Sequence, residues 1–102
     1  MGLFSRLTDF GDREQVRTHV YRISVGLMQI DDATSIPEIK GLSIAIKQEV
    51  QAMMMVASKL TNESINCLDV KFYGRKILFP KFLQELTIKA VEVVNRGGFS
   101  II

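Results

Sequence analysis

The chain has 102 residues, enough for one ordinary domain and too few for two, so we expect a single domain over residues 1–102. Hydrophobic residues make up 47% of it and its formal net charge is only +2, a composition that excludes an intrinsically disordered chain. Cys67 is the only cysteine, which excludes a disulfide within the chain and favours a reducing, cytoplasmic location.

The opening residues predict neither secretion nor a membrane span. They lack the charged start, long apolar stretch and small-residue cleavage site of a signal peptide, and no apolar run in the chain approaches the ~20 residues that cross a bilayer. Leu3, Phe4, Leu7 and Phe10 follow a helical spacing instead, which predicts a short amphipathic segment over residues 1–10. Because the segment is short and weakly charged, we expect it to pack against the chain or a neighbouring subunit.

Two long helices are predicted after this segment. The first spans about residues 12–30, with Asp12 as its N-cap, because apolar residues recur there every three or four positions. The second spans about residues 36–60, since Ser35 and Glu38 have the spacing of a capping box with a proline between them. Apolar residues surround this second helix, which indicates burial on several sides.

The period of the pattern changes in the second half of the chain. Leu68, Val70 and Phe72 alternate with polar residues, and Gly74 suits a type II′ turn, so a short β-hairpin is predicted at about residues 68–79. The alternative is a short helix through Leu68 followed by a loop, because a two-stranded ribbon is stable only when another element covers it.

A third main helix is predicted over about residues 80–95. Pro80 suits its first turn, and Gly97 and Gly98 suit its C-terminal end. An apolar tail follows at residues 97–102 and should pack onto the core. The predicted fold class is therefore mostly α: a small helical domain of three main helices with a possible hairpin.

Few residues in the sequence suggest catalysis or metal binding. His19 is the only histidine, so a site with two histidine ligands is impossible. Asp31 and Asp32 are adjacent acids, but no calcium-loop pattern surrounds them, and no glycine-rich nucleotide motif is present. We therefore expect a non-enzymatic protein that has neither a metal ion nor a cofactor.

Basic residues concentrate in the last third of the chain. Between positions 71 and 96, six basic residues accompany two acidic ones, so this stretch carries +4 and the remainder −2. Basic and aromatic residues alternate around the hairpin, as on surfaces that bind phosphates and stack bases, and a second basic line follows the first helix. The candidate nucleic-acid or phosphate contacts are Lys71, Tyr73, Arg75, Lys76, Lys81, Arg13 and Arg17.

The high apolar content of so small a chain favours a protein partner or a second copy that covers part of its surface. The leading hypothesis is a non-enzymatic assembly or adaptor module, or an inhibitor, which forms a homo-oligomer or packs against another protein. The alternatives are a nucleic-acid-binding accessory protein that uses the basic hairpin, and an oligomer that binds a small molecule or nucleotide between subunits. The candidate interface residues are Leu3, Phe4, Leu7, Phe10, Phe99, Ile101 and Ile102.

Overall fold

The computed structural model describes residues 3–102, with side chains described from Asp9 onward. In chain order its elements are α1 (Leu3–Asp32), α2 (Ile36–Ala57), α3 (Asn62–Asn66), β1 (Asp69–Phe72), β2 (Arg75–Leu78) and α4 (Phe79–Asn95). The predicted fold class, mostly helical with a short hairpin, is confirmed. Within these residues, no helix has both the length and the apolar character needed to cross a membrane.

Helix α1 begins earlier than the sequence pattern predicts. Residues 3–10 form its first turns, so the predicted amphipathic segment is not a separate element, and Asp12 lies inside the helix instead of at its N-cap. The prediction was wrong because an aspartate caps a helix only where the residues before it leave the helical conformation. Gly11 costs a helix interior only about 1 kcal/mol, which is too little to stop it here.

A tight connection joins α1 to α2, and the two helices pack side by side. Ser35 has an extended backbone, and its Oγ accepts a hydrogen bond from the N–H of Glu38 at 3.4 Å. The Glu38 carboxylate accepts one from the N–H of Thr34, one residue before the N-cap, so the predicted capping box forms only in its Ser35 half. Helix α2 ends at Ala57, a few residues before its predicted end, because the N–H of Leu60 bonds to the Ala57 carbonyl in a tighter turn.

The core lies where the α1–α2 pair meets the hairpin and α4. Three fully buried phenylalanines, Phe72, Phe79 and Phe82, cluster there, and the ring centroid of Phe82 lies 5.2 Å from that of Phe72 and 5.7 Å from that of Phe79. Such aromatic pairs add stability beyond the apolar area that they bury. The hairpin is therefore covered by helices, which is what a two-stranded ribbon requires.

The two strands are antiparallel, with Phe72 opposite Arg75. Tyr73 and Gly74 lie between them with φ angles of 54° and 75°, which defines a type I′ turn. The predicted type II′ turn was wrong because it needs glycine at the first central position, where this register places Tyr73. A short helix, α3, does form in this region, but it ends at Asn66, before Leu68, and the hairpin follows it instead of the loop that the alternative predicted.

The end of α4 is a glycine stop, as its sequence predicts. The N–H of Gly98 bonds to the Val93 carbonyl at 2.9 Å and that of Gly97 to the Val94 carbonyl at 3.0 Å, with Gly97 at φ +99°. This pair of bonds is a Schellman motif, which favours glycine at the left-handed position. The tail then crosses α2 and places Ile101 in the core with no exposed surface.

Candidate functional site

The two predicted phosphate contacts on α1, Arg13 and Arg17, both lie next to acids of the chain. The Arg17 guanidinium donates to the Asp69 backbone carbonyl at 2.9 Å and to its carboxylate at 2.8 Å, and it also contacts Glu14. Burial disfavours the charged form of Arg17, but these hydrogen bonds outweigh it and raise the pKa of the guanidinium. Arg13 lies 4.0 Å from Asp9. Arg17 therefore fastens β1 to α1 and is not a free phosphate ligand.

The same acid neutralises part of the hairpin. Lys76 lies 3.3 Å from the Asp69 carboxylate, and the hydrogen bonds from Arg17 and Lys76 hold the pKa of Asp69 below its ordinary value. Arg75 forms an ion pair with Glu85 of α4. Two of the predicted phosphate contacts on the hairpin thus already have anionic partners.

Tyr73 is also engaged by its own fold. Its N–H donates to the buried Ser24 Oγ at 2.8 Å, and its hydroxyl donates to the Asp31 carboxylate at 3.0 Å. The Lys89 ammonium lies 4.8 Å from the ring centroid, over a face that a nucleic-acid base would need. Burial, and then the bond to Asp31, raise the pKa of the phenol far above its usual range. Tyr73 therefore stabilises the turn, and Lys89 occupies the ring face on which a base would stack.

Lys71 and Lys81 remain exposed, and neither forms an ion pair with a side chain in the described part of the chain. Lys71 stands directly opposite Lys76 in the hairpin, an arrangement of like charges that disfavours strand pairing. The structure therefore brings the predicted cations of the hairpin together but leaves few of them free.

An apolar groove of 520 Å³ lies between α2 and α4. Met54 and Met55 of α2 form one wall, Leu83 and Thr87 of α4 form the other, and Ile101 lies in its floor. Met55 is 72% exposed. A cavity of this size and lining is typical of a binding surface.

A shallower hollow of 270 Å³ continues the groove across α4. Val91, Val94 and Ile102 line it, and each of these apolar side chains is about half exposed. We call the joined surface the α2–α4 face, defined by its exposed residues Met54, Met55, Thr87, Val91, Val94 and Ile102. Among the described residues that line its two hollows, Lys47 is the only charged one.

The predicted interface residues are distributed unevenly. Phe10, Phe99 and Ile102 are exposed, but only Ile102 lies on the α2–α4 face. Ile101 is buried beneath it. The remaining three, Leu3, Phe4 and Leu7, lie outside the residues whose side chains are described.

The sequence pattern contained a signal for the missed residues, but we interpreted it as burial. Ile44, Met54, Met55 and Val56 spread apolar character around α2, which indicated a helix buried on several sides. Val56 is buried, but the other three are exposed, so the interpretation was wrong for them. In so small a chain the neighbouring elements cover only one side of α2.

A second groove, of 280 Å³, lies between α1 and α2 and includes Tyr21, Val25 and Leu42. It is smaller and carries the charged residues Arg22 and Glu49 at its edge. Glu49 bonds His19 at 2.7 Å, so the lone histidine connects the two helices. In the part of the chain that the structure describes, no cluster of three or more potential ligands could hold a metal ion.

No family model matches the chain, and no curated protein or solved structure is significantly similar to it. Function must therefore be argued from the surfaces of this molecule, not from its relatives.

Proposed function

We propose that this chain is a non-enzymatic assembly module that associates with a second copy of itself through the α2–α4 face. The observation that carries the proposal is the groove of 520 Å³ flanked by half-exposed apolar side chains, with Lys47 as the only charge among the described residues that line it. An exposed apolar patch with polar residues at its rim is typical of a surface that contacts another protein.

The composition of the face supports contact with protein. Interface cores are depleted in charge and enriched in methionine, and the unbranched Met54 and Met55 side chains can adapt to an apolar surface. Lys47, Gln51 and Asn95 line the same hollows and supply a polar rim. A nucleic acid would find no row of cations here to hold its phosphates.

The shape of the face favours a second copy over an unrelated protein. Met55 projects from α2 beside the groove, so one copy presents a ridge next to a hollow. A twofold axis would bring each ridge to the other copy's hollow, which is the self-complementarity that a symmetric dimer needs. The near absence of charge also means that two identical faces would not repel each other.

The proposal involves no catalytic residue and no cofactor. It places the protein in the cytoplasm, because Cys67 is exposed and an exposed lone thiol suits a reducing compartment.

Sedimentation equilibrium at 150 and 500 mM salt tests the proposal. We expect the wild type to dimerise about equally well at both concentrations, since an apolar interface responds little to salt. Val91→Asp should weaken association by at least about a hundredfold, because it buries an unpaired charge. Leu78→Asp is the matched control: Leu78 is likewise half exposed but lies on the hairpin, so this variant should dimerise as the wild type does.

A wild type that stays monomeric at tens of micromolar, or a Val91→Asp variant that dimerises normally, would contradict the proposal. The same experiment with an oligonucleotide pool covers the alternative function. Binding that disappears between 50 and 200 mM salt would point to the basic hairpin instead.

A further inference from the structure

The tail after α4 folds back between α2 and α4. Its turn depends on Gly97, at φ +99°, and on Gly98, where an added Cβ would lie 2.7 Å from Val93 Cγ1 and 3.0 Å from Ile39 Cγ2. Only glycine at these positions lets the chain reverse so closely against the helices. Residues 99–102 are thereby directed onto the core.

The docked tail shapes the α2–α4 face. Ile101 is fully buried and lies beneath the groove. Ile102 is 54% exposed and borders both the groove and the shallower hollow, so its side chain separates the two. If residues 99–102 left this position, the groove would lose Ile101 from its floor and Ile102 from its edge.

A small set of contacts holds the tail from outside the face. The N–H of Phe99 donates to Ser43 Oγ at 3.0 Å, and the Ser43 hydroxyl itself donates to the Lys40 carbonyl at 2.7 Å. Ser43 is fully buried and lines neither hollow of the face. It can therefore affect association only through the position of the tail.

We infer that docking of residues 99–102 is coupled to self-association, so that a second copy binds only a chain whose tail is docked. This inference rests on the proposed function, because it concerns the same face. Linkage requires the converse as well: association must favour the docked tail, since each equilibrium shifts the other by the same factor.

The test measures dimerisation of the double variant Ser43→Ala/Gly98→Ala. The first substitution removes the hydroxyl that accepts from the Phe99 N–H, and the second places a Cβ against Val93 in the turn. If the docked fraction of each copy falls to about one third, dimerisation should weaken about tenfold, because both copies must redock. The control Ser24→Ala/Gly11→Ala removes another buried serine acceptor and fills an open glycine position on α1, and it should leave the dissociation constant within about twofold.

Amide hydrogen exchange of Phe99 provides the second readout. We expect exchange at this N–H to slow as the wild type dimerises, and to be independent of concentration in Val91→Asp. Ile101→Asp is a further variant, since its charge cannot stay in the core; circular dichroism should show that its helices persist while dimerisation is lost.

The outcomes separate the two proposals. In one outcome, the wild type and the double variant dimerise equally tightly although Phe99 exchanges fast in the variant. This result overturns the coupling and leaves the proposed function intact. If Ile101→Asp keeps its helices and dimerises like the wild type, the coupling is likewise overturned. A wild type that never dimerises, with Phe99 exchange unaffected by concentration, overturns both.

Discussion

The hairpin surface and the α2–α4 face differ in what their side chains already contact. At the hairpin, Lys76 and Tyr73 contact acids of the same chain, and Asp69 of β1 also holds Arg17 of α1. On the α2–α4 face, Met55 and Val91 remain largely exposed, with no other part of the described chain covering them. Most of the predicted cations at the first surface already have acidic partners within the fold, whereas the apolar side chains of the second surface stay exposed.

This contrast shows why a basic patch in a sequence is weak support for a nucleic-acid partner. A cation can be neutralised by an acid far away in the chain, as Arg17 is by Asp69, and surface ion pairs form readily. Exposed apolar side chains cannot be neutralised in this way and leave water only when another surface packs against them. We therefore expect substitutions at the hairpin and its contacts to change the unfolding free energy, and substitutions on the α2–α4 face to change association.

Phe72→Ala should have the largest effect on folding. Phe72 is fully buried and packs on Tyr73 and Phe82, so its loss leaves a cavity and should lower the unfolding free energy by about 3–5 kcal/mol. Met55→Ala on the α2–α4 face should change the unfolding free energy by less than about 0.5 kcal/mol. Urea unfolding at concentrations where the chain is monomeric measures both. Equal losses would erase the difference between the two surfaces.

Arg17→Ala should have an intermediate effect. It removes the hydrogen bonds that hold β1 on α1, and because both partners are about one third exposed we expect a loss of about 1–2 kcal/mol. Arg13→Ala, one turn earlier with only a 4.0 Å contact to Asp9, is the control and should cost about 0–0.5 kcal/mol. If Arg17 instead governs oligonucleotide affinity without changing stability, the hairpin is a binding surface after all.

Of the three substitutions, Asp69→Asn should change the unfolding free energy least. Its effect should be seen in how that free energy depends on pH. Arg17 and Lys76 lower the pKa of Asp69 in the folded chain, so its stabilisation is present above its ordinary pKa of 3.8 and is lost as pH falls below that value. The unfolding free energy of the variant should therefore fall less than that of the wild type on acidification. Urea titrations from neutral pH to pH ~2 make the comparison, and parallel curves would show that the ion pair contributes nothing.

Much of the fold could be predicted because its signals are local. The Ser35 N-cap and the glycine stop at Gly97 each depend on a few neighbouring residues, and both appear as expected. The start of α1 was missed for the same reason: Asp12 has the right type for a cap, but continuation of the helix through it depends on what lies before it. The turn type was missed because it depends on strand register, which a single glycine does not fix.

By itself, the sequence determined the helices, the presence of the hairpin and the excess of apolar residues. Only the tertiary structure decided which apolar and charged residues are free. Helical periodicity identifies a face of α2 but not whether another element covers it, and Met54 and Met55 are exposed because α4 stands apart across a groove. Charge counts likewise ignore pairing between residues as distant in sequence as Arg17 and Asp69. Burial and pairing are properties of contacts between remote segments, and the pattern along one segment does not contain them.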